Sequence, residues 1–353
     1  MFSITAATGY APVRATRRHV GVGWVVAVVL VVLVGCSADL PDRRPQADQL
    51  TQQIRAMPAV AAASNEVADS VAQGTVYFWL AVEVADDATG DQLAAITSRY
   101  LDGLRAVDYR GYQTELDVRH GANLFVVDGG ARPVINADQV IDQARSWVAL
   151  RHAFPGATIR LSASITHPTG PGQMRPVDVG HPNAGSIELP EDTDYTAVIA
   201  AVATVAEKFP QLGSGDWTIS AGKAYFAGIN TSRRLPTAEE IAVFNMLNAD
   251  QVIPHVDVLT VNGPLTGPVW VSEKTLSRDP NVWVALAGQH LPIVAALPAP
   301  VLYTSDDQLQ GHLDASGKAA GAVTVTVGGC TPRTYRPAPA EQALIDTYQK
   351  CHR

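Results

Sequence analysis

Apolar positions along the chain fall into two kinds of pattern. Where they recur every three or four residues a helix is predicted, and where they alternate or run continuously over five to nine residues a strand is predicted. Leu50, Ile54 and Met57 define a first helix over 47–57, stopped at Pro58. Residues 76–84 (VYFWLAVEV) read as a strand too apolar to have one wet face. Thr89 and Gln92 fit a capping box, followed by the stripe Leu93, Ile96, Tyr100, Leu101, Leu104. Residues 115–119 and 123–127 form a hairpin about Gly121. Asn136 is expected to cap a helix bearing Val140, Ile141, Ala144, Trp147 and Val148, which ends at Phe154-Pro155-Gly156. Residues 158–166 alternate as a strand.

From residue 76 the order is therefore strand, helix, two strands, helix, strand. That is the βαββαβ order of the ferredoxin-like fold. Residues 167–185 then hold four prolines and four glycines without periodicity, and are expected to be a linker. The pattern resumes with a strand at 186–189, a helix capped by Asp194, and a hairpin of 217–221 and 224–229 across Gly222. A second capping box at Thr237–Glu240 opens the next helix. Strands at 256–261 and 269–272 flank the turn signal Asn262-Gly263. A helix opens at Asp279-Pro280 and is expected to end at Leu291-Pro292. Strands at 301–305 and 322–327 and a helix at 340–349 complete the chain. The predicted class is α+β, with two tandem ferredoxin-like antiparallel-sheet domains.

A faint repeat runs through these elements. Met57-Pro58, Phe154-Pro155, Phe209-Pro210 and Leu297-Pro298 each follow a helix and precede a strand. Proline ends helices wherever it falls, so the repeat supports recurring helix-then-strand units only weakly. The first unit resembles the BON-type α/β modules of bacterial envelope proteins, and no functional residue carries over from that likeness.

The N-terminus changes the setting. Arg14, Arg17 and Arg18 precede an uncharged, Val-rich run over 20–35 that ends in Leu33-Val34-Gly35-Cys36. A basic segment, a short apolar core and a small residue at the cut site make a secretory signal. The tetrapeptide resembles the lipobox of bacterial lipoproteins. That resemblance implies an acyl lipid such as palmitate on Cys36, which becomes the first mature residue. The run is 16 residues. As a helix it spans about 24 Å, short of the roughly 30 Å hydrocarbon core. A retained single transmembrane helix is the competing reading, and both place the body outside the cytoplasm, anchored to the cell membrane. The expected organisation is a signal (1–36), a tether (37–46), a first domain (47–166), the linker (167–185), a second domain (186–331) and a C-terminal helical segment (332–353).

Composition narrows the partners. Without the three signal arginines the chain has 23 basic and 34 acidic residues, a net charge of −11. Such a body argues against nucleic acid and against a polybasic lipid surface. The Ala/Val/Asp-rich body points to a high-GC actinobacterial source. Of three cysteines, Cys36 is assigned to lipid, so Cys330 and Cys351 are expected to pair in an oxidising compartment.

Reactive motifs are absent from the sequence. There is no G-x-S-x-G elbow; Gly213-Ser214-Gly215 lies before a strand and reads as a loop. No phosphate-binding glycine motif occurs, and no histidine spacing suggests zinc, so neither cofactor nor metal is expected. His120, His152, His167 and His181 read as surface or loop histidines. Asp86-Asp87, Asp192, Asp194, Asp250 and Asp306-Asp307 read as caps and turns. The tryptophans read as core, with Trp270 the best candidate for a binding platform. The sequence thus predicts an envelope lipoprotein that binds an unidentified envelope protein or small ligand. An envelope hydrolase with a carboxylate or histidine site outside known motifs is the alternative.

Overall fold

The computed structural model describes residues 41–351 apart from 71–74, 108, 110–111, 130–136, 165–183, 222–225, 264–267, 308–311, 314–318, 321–322 and 331–335. The signal, Cys36, Asn136, His167 and His181 lie outside the described residues.

Six times the chain runs helix, strand, strand. The modules are α1 (Arg44–Arg55), β1 (Val60–Ser70), β2 (Thr75–Val84); α2 (Gly90–Ala106), β3 (Gln113–His120), β4 (Asn123–Gly129); and α3 (Ala137–Ala153), β5 (Thr158–Ser164), β6 (Ala184–Glu188). They continue as α4 (Tyr195–Lys208), β7 (Asp216–Ala221), β8 (Ala227–Thr231); α5 (Ala238–Ala249), β9 (His255–Val261), β10 (Val269–Thr275); and α6 (Pro280–Val294), β11 (Val301–Asp306), β14 (Val323–Val327). A small hairpin, β12 (His312–Leu313) and β13 (Ala319–Ala320), interrupts the last module, and α7 (Pro339–Tyr348) follows it.

The twelve long strands form one mixed sheet in sequence order. Strands within a module pair antiparallel, and strands on either side of a helix pair parallel. The reason is reach: a short turn can only reverse the chain, whereas a helical crossover carries it back to start a parallel neighbour. The class is mixed α/β, compatible with the predicted α+β. Two separate antiparallel sheets are not what forms. In a split βαβ arrangement another strand separates the two that a helix connects, but β2 and β3 lie side by side. β5 and β6, on either side of the expected linker, also pair directly, so both halves share one sheet. Residues 42–353 belong to one compact unit.

Register and burial place the helices on one face. Phe78, Leu80, Leu116, Phe125, Val127, Ile159, Leu161, Ile187, Ile219, Ile229, Leu259, Val271 and Val325 all reach it and are buried. Phe78 meets Tyr100 of α2, and Phe125 meets Trp147 of α3. Capping boxes at Thr89 and Thr237 and an Asp194 cap start three of the helices as expected. Gly121 sits at φ +56° in the β3–β4 turn, where a side chain would be strained.

One strand has no pattern of its own in the sequence, and one helix runs past its expected end. β1 (VAAASNEVADS) is Ala-rich with low strand propensity, and it forms because β2 offers it an edge to pair along its whole length. Helix α6 runs through Pro292 to Val294. The proline gives up the one bond its missing N–H would have made to residue 288, and the helix continues only two residues beyond it.

Gly185 permits the closest inter-strand packing. A Cβ there would lie 2.5–2.9 Å from the ring of Trp217, its neighbour on β7. That ring is 2% exposed and fixed by Nε1–H donating to the Leu212 carbonyl at 2.9 Å. Gly185→Ala is expected to cost about 1–3 kcal/mol by overpacking. Urea unfolding measures it, and an unchanged midpoint would contradict this packing.

Candidate functional site

The face away from the helices carries the polar residues. Register aligns Arg160, Ser186, Thr218, Asn230, Thr260 and Trp270 in one row across β5 to β10. At about 4.8 Å per strand the row is roughly 24 Å long. Ser162, Ala184 and Asp216 form the start of a second row beside it. Both rows, except Trp270, line a groove of about 1050 Å³, closed at its rim by Ser232-Arg233 and Asn262-Gly263.

The rim is unusual in its backbone. Only three described non-glycine residues have positive φ, and two of them, Arg233 (φ 64°) and Asn262 (φ 55°), line this groove. Asparagine tolerates that region through its short polar side chain, whereas arginine does so at a cost of about 1–2 kcal/mol. Asn262 is held by donating its side-chain N–H to the Ser232 carbonyl at 3.2 Å and its backbone N–H to Pro268 at 2.7 Å. Arg234, next to Arg233, forms a two-pronged pair with Glu240 at 2.7 Å on each arm. Glu240 also accepts from the backbone N–H of Thr237 at 2.7 Å. These contacts fix the loop while leaving the Arg160 and Arg233 guanidinium groups without a hydrogen-bond partner among the described residues.

Burial would raise the Glu240 carboxyl, but Arg234 and the helix cap outweigh it and hold it below the usual carboxylate range. A depressed carboxyl stabilises the fold above its unfolded pKa, and that contribution is lost as pH falls through the folded value. Glu240→Gln is expected to cost about 1.5–3 kcal/mol near neutral pH. Urea midpoints between about pH 5 and 3 should fall more in the wild type than in Glu240→Gln. Parallel curves would refute this role.

A second cluster lies on the helix face, between β9, β10, β11 and α6. His255, Asp257, Glu273, His290 and Tyr303 are 6, 0, 0, 0 and 0% exposed. His255 Nδ1 faces the Ile253 carbonyl at 2.6 Å, and Nε2 lies 3.5 Å from Asp257. His290 Nδ1 lies 2.6 Å from Glu273 Oε1, while Tyr303 donates its hydroxyl to Glu273 Oε2. Asp250, at the end of α5 and 36% exposed, approaches His290 Nε2 at 3.5 Å. Burial opposes charge on His255, but Asp257 outweighs it and raises the ring to about 9. Burial raises Glu273 to about 7 despite His290. Enclosed in this way, the cluster can hold a cation or share protons, but it cannot touch a substrate in the groove on the opposite face.

The other expected residues fall as follows. Cys330 and Cys351 are joined, with Cα atoms 4.8 Å apart. His120 pairs with Asp86 at 2.9 Å, and Asp194 caps α4. Asp306 departs from its reading as a turn residue: it is 3% exposed and binds Lys274 at 2.6 Å. Trp147 and Trp217 are core, and Trp270 ends the polar row with Nε1–H donating to Thr304 at 2.9 Å. No described helix is long and apolar enough to cross a membrane. His255, Asp257 and Glu273 were missed because no motif joins them. The available signal was polar residues at strand positions whose alternation points to the core, as in HVDVLTV. No known protein family, curated protein or solved structure matches the chain.

Proposed function

We propose that this chain is a lipid-anchored protein of the cell envelope that holds an extended polar ligand in the groove across β5–β10. The observation that carries the reading is the groove itself, where two exposed guanidinium groups without a partner among the described residues and two left-handed residues meet a row of hydroxyl and amide side chains. Strained backbone persists where the surroundings enforce it, and it clusters at ligand sites. Arginines that pair with none of the described residues, in a body of net charge −11, favour a ligand bearing carboxylate or phosphate. The row's length suits a short oligomer with many hydroxyl groups, and Trp270 at its end offers a ring on which a sugar could stack. Anchoring rests on Arg14–Arg18, the apolar run and Cys36.

Two experiments test the two halves of this reading. Cys36→Ala should abolish lipid labelling and leave an uncleaved precursor. An intact mass that differs from wild type only by the side chain would show that the segment is retained. Arg233→Gly should raise stability by up to about 1 kcal/mol, because it relieves the left-handed strain, while weakening the binding of anionic ligands. A loss of stability would show that Arg233 is held there for packing.

A further inference from the structure

We propose that His255, Asp257, Glu273 and His290 form a closed site for a divalent transition metal, zinc by its ligand chemistry. This inference is independent of the groove. One ligand atom from each of His255, Glu273 and His290 lies within 4.8 Å of the other two. β9 presents His255 and Asp257 two residues apart on the helix face, and β10 sets Glu273 directly opposite Asp257. Helix α6 brings His290 over them, its ring edge-on to His255 at 4.9 Å between centroids.

Several buried atoms here make no hydrogen bond among the described residues, their nearest polar neighbours lying 3.5 Å away. Neither Asp257 oxygen has a hydrogen bond, although the residue is 0% exposed, and His290 Nε2 has none either. A buried carboxylate that accepts no hydrogen bond is costly even with His255 Nε2 at 3.5 Å. A cation beside it removes the cost.

The remaining ligand atoms are already oriented. His255 Nδ1 faces the Ile253 carbonyl at 2.6 Å, while Nε2 lies 3.2 Å from the Leu247 carbonyl and 3.5 Å from Asp257, so coordination would take Nε2 from that carbonyl. Tyr303 donates to Glu273 Oε2, and Oε1 faces His290 Nδ1 at 2.6 Å, so a metal would enter between those two atoms. Ligating histidines and carboxylates ordinarily carry such outer partners. Two carboxylates balance a divalent charge, and two neutral imidazoles complete the four-coordination that zinc prefers. Two imidazole nitrogens favour zinc over calcium or magnesium, which take oxygen ligands. A tetrahedral site with bonds of about 2.0 Å has edges of about 3.3 Å. His290 Nδ1 and Glu273 Oε1, now 2.6 Å apart, would open by less than about 1 Å. The widest pair, at 4.8 Å, would close by about 1.5 Å.

The test uses the full chain, stripped with chelator and titrated with zinc alone. One tightly held equivalent is expected, with a rise in melting temperature that magnesium does not reproduce. Cobalt(II) in its place should give the intense visible band of a tetrahedral site. X-ray absorption of the zinc form should show imidazole and oxygen donors and no sulfur. Glu273→Gln and His290→Gln should weaken binding by at least about 100-fold. If those variants do not fold, the wild-type spectra decide. Absence of a stoichiometric equivalent, retention of it in both folded variants, or an octahedral cobalt spectrum would overturn the proposal.

Discussion

Replacing Asp306 by alanine should cost about 3–5 kcal/mol, the largest single-residue effect expected in this fold. Asp306 ends β11 and accepts from Lys274 Nζ at 2.6 Å, with the two side chains 5% and 0% exposed. The pair lies on the face opposite the helices, one register position from Glu273. Burial pulls the Lys274 ammonium below its ordinary pKa, and Asp306 resists that. Removing the carboxylate strands a cation away from water, which is far worse than never having buried the pair. Lys274→Met combined with Asp306→Leu should therefore recover most of the loss. Urea denaturation of the two single variants and the double variant measures this. A double variant as unstable as Asp306→Ala would show that the stranded Lys274 charge is not the source of the loss.

Loss of the Cys330–Cys351 disulfide should cost about 3 kcal/mol, from the entropy of a closed loop of this length. The sequence separation is 21 residues. The bond holds the end of the chain against the last strand of the sheet. Gly328 N–H donates to the Tyr348 carbonyl at 2.9 Å, and Lys350 N–H to the Gly329 carbonyl at 2.8 Å. Helix α7 is ten residues long and buries only Glu341 and Ile345, so it is marginal without the tie. Released, it would uncover β14, an all-buried run VTVTV with an open edge. Cys330→Ser/Cys351→Ser protein should be cut first within 331–349 by limited proteolysis and should aggregate on warming. Equal resistance to protease would mean that α7 docks without the bond.

How far the sequence disclosed this fold depends on range. Local signals were reliable. The capping boxes at Thr89 and Thr237, the turn at Gly121 and the apolar run of β2 each depend on a few neighbouring residues, and each appears as read. Strand partners were not legible. The same strand-helix-strand order suits a split sheet or a sequential one, and contacts such as Gly185 against Trp217 exist only once β6 and β7 are neighbours. Proline and glycine density at 167–185 marked a break in the chain, yet β5 and β6 pair across it, because a long connection costs little extra closure entropy. The repeated Pro after four helices was the one sign of the modular plan, and it marks the junctions before β1, β5, β7 and β11.

The groove and the buried cluster were hidden for the same reason. Arg160, Ser186, Thr218, Asn230 and Thr260 come from five strands, and only register brings them into one row. Asp257 and Glu273 become neighbours only when β9 meets β10. Trp270 could be singled out because it follows Pro268 outside an apolar stripe, and it lies at the end of that row.

The most direct test of the groove as a ligand site is a thermal-shift titration of the full chain against paired probes. A uronic-acid tetramer, the matching neutral tetramer and inorganic phosphate, each with wild type and Arg160→Met/Arg233→Gly, form the set. At a ligand concentration of 100 times Kd, stabilisation of about 2.7 kcal/mol is expected. The account predicts that an anionic probe stabilises the wild type, that the neutral tetramer does so less, and that the folded double variant responds to neither. Equal responses in wild type and the double variant, or no response to any anionic probe, would contradict it.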